Sequence, residues 1–133
     1  MSESVFRGAA YTLLNDFAVV QDVPIFFENG PEPDLDAVAN TWLDVELSFG
    51  EASSVTLGAR PRGRQTGFLI VRVFARQGTG TLDQDVLTEA LVELLRPQHL
   101  GGATLEFPKR LAGVALKGWS KAGLMVPFRL DKA

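Results

Sequence analysis

The chain has no cysteine and a single histidine, His99. The first absence excludes disulfides, thiolate nucleophiles and zinc sites built on sulfur. The second leaves too few imidazoles for a histidine-rich metal site. Two tryptophans and one tyrosine are few for the stacking surfaces of a sugar cleft, although paired carboxylates are available. No apolar run approaches the ~20 residues that cross a bilayer. The opening Met1–Gly8 lacks the basic-then-apolar pattern of a secretory leader, so no membrane partner is expected. What is present is 133 residues, 46% hydrophobic and 22% charged, a length that fits one domain, 1–133, with a real core. The net charge of −3 is mild, but its distribution is not. Residues 1–59 hold ten acidic side chains and one basic, Arg7, whereas residues 60–133 hold six acidic and twelve basic. Ordinary soluble domains mix their signs.

The first element reads as a helix. Val5, Phe6, Ala9, Ala10, Leu13, Leu14 and Phe17 form one stripe of a 3.6-residue period, with Ser2 or Ser4 as cap. Asp22-Val23-Pro24 ends it, because the residue before proline avoids the helical region. Ile25 to Glu28 reads as a short strand, followed by a proline-containing loop. From Thr41 the period is two: Leu43, Val45, Leu47 and Phe49 face one way, Asp44, Glu46 and Ser48 the other. Gly50 to Gln65 reads as a polar loop. Phe68 to Arg76 is apolar on both faces, which marks a central strand or one under a second layer. Thr81-Leu-Asp-Gln84 is a capping box opening a helix lined by Val86, Leu87, Ala90, Leu91, Leu94 and Leu95, and Pro97 with Gly101-Gly102 stops it. Three β segments follow, near 103–107, 112–118 and 120–130. The order α-β-β-β-α-β-β-β, with short links favouring antiparallel pairs, predicts an α+β fold: a mixed, mainly antiparallel sheet carrying two helices on one face.

No catalytic constellation emerges. His99 at a helix end is better placed to meet the last carbonyls than to take protons from a substrate. Glu28, Glu32, Asp34 and Asp36 lack the alternate-ligand spacing of a calcium loop and read as a solvated loop or an acidic contact surface. Gly78-Thr-Gly80 before a helix lacks the rest of a phosphate-binding fingerprint, and Asp83 and Asp85 would repel phosphate. Arg60, Arg62 and Arg64 suit phosphate contacts without sequence readout, but a net acidic chain is a poor free-standing DNA binder. Trp42, Phe68, Ile70, Phe74 and Trp119 fall outside the main apolar faces, which marks either a protein contact or cover by a helix.

The segment GRQTGFLIVRVFARQGTGTLDQDVLTEALVELL, with IFFENGPEP, TWLDVELSFG and GLMVPFRL around it, resembles the small tail-terminator (tail-completion) proteins of long-tailed bacteriophages. The likeness spans roughly residues 4–131 in order and spacing. It implies a structural subunit of a ring, commonly a hexamer, that needs no cofactor and performs no catalysis. Such a ring docks on the last ring of tail tube protein in the virion tail, assembled in the bacterial cytoplasm, stops tube polymerisation and offers a surface to the head-tail connector. DNA passing through the lumen could touch it non-specifically. Another neck or head-closure protein is the alternative within this class; a small-ligand-binding or enzymatic α+β domain is the alternative outside it. The charge asymmetry suits a ring, whose contact joins two different patches. The expected interface places Glu28, Glu32, Asp34 and Asp36 against a neighbour's or the tube's basic surface. Trp42, Arg60, Arg62, Arg64, Arg72 and Arg76 are the remaining candidates, and reversing Arg72 and Arg76 is expected to break assembly without unfolding the monomer.

Overall fold

Helix α1 occupies Glu3–Gln21 in the computed structural model, which describes residues 3–30, 34, 40–54, 63–78, 82–116 and 118–132. Its buried line is Phe6, Ala10, Leu14 and Ala18, the i, i+4 row of the expected stripe, while Val5 at the stripe's margin is 54% exposed. Asp22 ends the helix at φ 55°. The Asp22 amide donates to the Val19 carbonyl and the Val23 amide to that of Ala18, at 3.2 and 3.0 Å, so a left-handed cap closes the last turn.

Strand β1 (Ile25–Phe27) lies parallel to β2 (Thr41–Ser54), with Ile25 opposite Leu43. The antiparallel expectation for neighbouring strands fails here because residues 28–40 make a connection long enough to bring the chain back in the same direction. β2 then pairs antiparallel with β3 (Gly63–Arg76), and both extend into the stretch expected to be a loop. Ladder hydrogen bonds come from the backbone, so polar side chains do not prevent pairing. A bulge between Phe49 and Ala52 is spanned by Gln65, whose side-chain amide donates to the Gly50 carbonyl at 2.6 Å.

Helix α2 (Leu82–Leu94) buries Gln84, Leu87, Thr88 and Leu91, a face rotated from the expected one, and Val86 is 56% exposed. Thr81 lies outside the described residues. Gln84 docks the helix on the sheet: it is buried and donates to the carbonyls of Val73 and Ser120, both at 2.9 Å. The helix end is met by Gln98, which donates to the carbonyls of Leu94 and Arg96 at 2.8 and 2.9 Å. His99, expected in that role, sits in strand β4 (Gln98–Leu100) with Nδ1 3.1 Å from Thr104 Oγ1 on β5 (Ala103–Leu105). Gly101 and Gly102, expected as a helix stop, form the two-residue turn between these strands with φ of 55° and 84°, a conformation that favours glycine at both positions.

Strands β6 (Lys109–Leu116) and β7 (Trp119–Lys132) complete a seven-stranded sheet of order β1-β2-β3-β7-β5-β4, with β6 also on β7. The fold is α+β, with one more strand among the described residues than expected. Both helices cover one face, their buried lines sharing a core with Leu43, Val45, Leu69, Val71, Leu124 and Val126.

Candidate functional site

The sheet face turned away from the helices carries most of the described candidates. Alternation and register place Trp42, Asp44 and Glu46 of β2 on it, opposite Phe74, Arg72 and Ile70 of β3. At one end Trp42 stacks on Phe74, ring centroids 4.0 Å apart and planes 6° off parallel, while Trp119 and Phe26 meet Trp42 edge-on at 6.0 and 5.5 Å. These rings bury one another: Trp42, Phe74 and Trp119 are under a tenth exposed, and neither helix belongs to their cluster. Trp42 therefore offers little free surface. Arg76 lies over the Trp119 ring at 4.6 Å, a cation–π contact.

Beside the rings, Arg72 donates to Asp44 at 3.0 Å and to Glu46 at 2.7 Å. Burial by itself would lower the guanidinium's pKa, and hydrogen bonds to the two carboxylates outweigh it and raise it. Arg64 donates to Asp131 at 2.7 Å at the far end of the sheet. Arg72 and Arg64, expected to meet another chain's acids, each pair with acids of their own chain. For Arg72 the physical reason is the antiparallel pairing of β2 with β3, which lays the acidic first half against the basic second; Arg64 meets Asp131 through the pairing of β3 with β7.

Glu28 is also committed within the protomer. Its Oε1 accepts from Arg7 at 2.8 Å, from Tyr11 at 3.0 Å and from the Leu47 amide at 3.0 Å, so one carboxylate oxygen ties α1 to β2. Burial alone would push the Glu28 carboxyl up; the three donors reverse that and hold it below its ordinary value. Burial first, and donation to Glu28 second, push the Tyr11 phenol up. Asp34 is exposed, and Glu32, Asp36, Arg60 and Arg62 lie outside the described residues.

The lowered Glu28 pKa fixes a sign. Its stabilisation is complete above the unfolded value of about 4.3 and is lost as pH falls through the lower folded value. Glu28→Gln is expected to lose ~1–2 kcal/mol at pH 7, from weakened charge-assisted hydrogen bonds, and to match the parent in acid. Urea denaturation at pH 7 and at stepwise lower pH measures both; a gap unchanged by pH would contradict this account.

Sequence reasoning missed three uncommitted cations. Lys121 sits opposite Phe74, Arg129 opposite Thr66 and Lys109 opposite Met125, all on the face away from the helices, and none makes an ion pair among the described residues. For Lys121 and Arg129 parity was the available signal, since Leu124, Val126, Phe128 and Leu130 take the alternate positions of β7. On the helical side, an open groove of about 370 Å³ runs between the end of α1 and the start of α2, lined by Gln21, Val23, Asn40, Asp83, Val86 and others. No group of three or more metal-ligating side chains converges among the described residues, and no described helix is long and apolar enough to cross a membrane.

No family model and no curated protein matches the chain. One solved structure, whose name carries no functional description, superposes with a TM-score of 0.75 over 97% of this chain and 95% of its own at 16% identity, a likeness of fold.

Proposed function

We propose that this chain is a structural subunit of the ring that caps the growing tail tube of a long-tailed bacteriophage, ends its polymerisation and presents the head-joining surface. The observation that carries it is the resemblance of residues 63–95 and their flanking segments to tail-terminator proteins. Those residues fold as strand β3, a turn at Gly78 with φ 87° and helix α2. The flanking pieces occupy β1, β2 and β7, so the likeness covers the framework of the sheet. In this role the chain meets copies of itself, the tail tube protein and the head-tail connector, and it acts in the virion tail.

Electron microscopy of particles produced without this chain tests the proposal. Overlong or headless tails are expected, and normal virions would reject it.

A further inference from the structure

Counted by layer, the charges separate more cleanly than by chain half. Helix α2 contains Asp83, Asp85, Glu89 and Glu93 and no basic residue. With Gln84, Leu87, Thr88 and Leu91 turned to the sheet, the helical period sends Leu82, Val86, Glu89 and Glu93 outward in one ridge. Leu82 is 75% exposed, the two carboxylates are exposed, and among the described residues only Glu93 has a partner, a surface contact with Arg96 at 3.3 Å of the kind that contributes little. The ridge is apolar at its start and acidic at its end.

The opposite side of the molecule has the complementary character. The outer sheet face presents Lys109, Lys121 and Arg129 without ion partners among the described residues, beside a band of exposed or half-buried apolar side chains that includes Phe68, Ile70, Met125 and Leu111. Arg72 adds no free positive charge there, because Asp44 and Glu46 both bind it, two carboxylates to one guanidinium. Since α2 lies on the inner face of the sheet, its ridge points away from the outer face. The two patches therefore sit back to back across a two-layer domain and cannot meet within one molecule. A contact between them is heterologous: every copy uses both sides, and repetition gives a ring if the rotation closes.

We propose that the outward ridge of α2 in one copy seats on the outer sheet face of the next, with Leu82 and Val86 on the apolar band and Glu89 and Glu93 against a cation that flanks it, Lys121 and Arg129 standing at its two ends. This rests on the ring-subunit reading and assigns the surfaces that build the ring.

Sedimentation of the purified chain tests it with two charge-reversed variants, Glu89→Lys/Glu93→Lys and Lys121→Glu/Arg129→Glu. The parent is expected to self-associate, and each variant alone to lose at least ~10-fold in association, about 1.4 kcal/mol. An equimolar mixture of the two restores assembly, because each presents the sign the other needs. One chain carrying all four changes does the same, which separates a lost contact from a lost fold. A parent that stays monomeric up to about 1 mM, where a contact of only ~4 kcal/mol would register, overturns the proposal. So do variants that assemble like the parent, or a mixture that stays dissociated. If the chain instead binds an acidic partner through Lys121 and Arg129 without self-association, the occupant is wrong. Normal virions without the chain would sink the ring-subunit reading and leave the sedimentation result standing; a ring indifferent to both reversals would do the reverse.

Discussion

Replacing Gly67 by alanine is expected to destabilise the fold by about 3 kcal/mol, a fall in Tm of roughly 10 °C for a domain of this size. Gly67 lies on the buried face of β3, between Phe49 of β2 and Phe128 of β7. A Cβ there would collide with the Ser48 carbonyl oxygen and approach Phe128 Cζ to 2.7 Å. The Phe128 ring cannot retreat freely, because its centroid is 4.5 Å from that of Phe6 and 5.5 Å from that of Phe49. That trio joins α1 to the sheet, so displacing one ring disturbs a whole interface. Gly8 is the control. It lies on the exposed side of α1 with nothing within 4 Å of an added Cβ, and Gly8→Ala is expected to gain ~0.5–1 kcal/mol from helix propensity. Thermal melts of the two variants should move in opposite directions; a Gly67→Ala protein as stable as the parent would contradict the packing described.

Arg72→Glu is expected to lose roughly 2–3 kcal/mol, between the ~1 kcal/mol of an exposed pair and the ~3–5 of a buried one. The Arg72 side chain is 26% exposed, and its replacement leaves Asp44 and Glu46 facing a third carboxylate. Reversal at this position therefore weakens the protomer itself, contrary to the sequence-based expectation that only assembly would suffer. Acidification should relieve the defect, since protonating any of the three carboxylates removes repulsion, whereas the parent gains nothing from the same change. Urea midpoints of parent and variant at neutral and acidic pH check this. A variant with parental stability at pH 7 would show that the triad contributes no more than a surface ion pair.

The strands that build the core were legible because Leu43, Val45 and Leu47, and Leu69, Val71 and Val73, alternate with the pleat. What escaped depended on partners distant in sequence. The Gly101-Gly102 pair fits a helix stop or a hairpin turn equally well; the hairpin forms because residues 98–105 can pack on α1, where a Cβ on Gly101 would lie 2.8 Å from Ala9 Cβ. The buried face of α2 includes Gln84 and Thr88, polar residues that an apolar stripe omits, because the sheet supplies carbonyls for Gln84 and the helix's own Gln84 carbonyl accepts from Thr88 at 2.7 Å. Among the candidate site residues, composition identified the charges correctly but not their partners. Glu28 and Arg72 read as free interface groups, and only the register of β2 and the approach of α1 reveal that each is already satisfied.

The position of β7 has a consequence for how the chain reaches this state. It is the seventh strand in sequence, yet it lies mid-sheet, pairing with β3 along 14 residues and with β5 and β6 on its other edge. During synthesis, β2 and β3 are complete while the strand that must lie beside β3 has not been made. The edge of β3 then waits unpaired with Leu69, Val71 and Val73 on one face and Phe68, Ile70 and Phe74 on the other, a template for pairing with a neighbouring chain. Folding is late and largely non-local: the halves of the sheet join only when residues 119–132 arrive. Until then the nascent chain is most exposed to aggregation, and chaperone demand is expected to be concentrated in that interval.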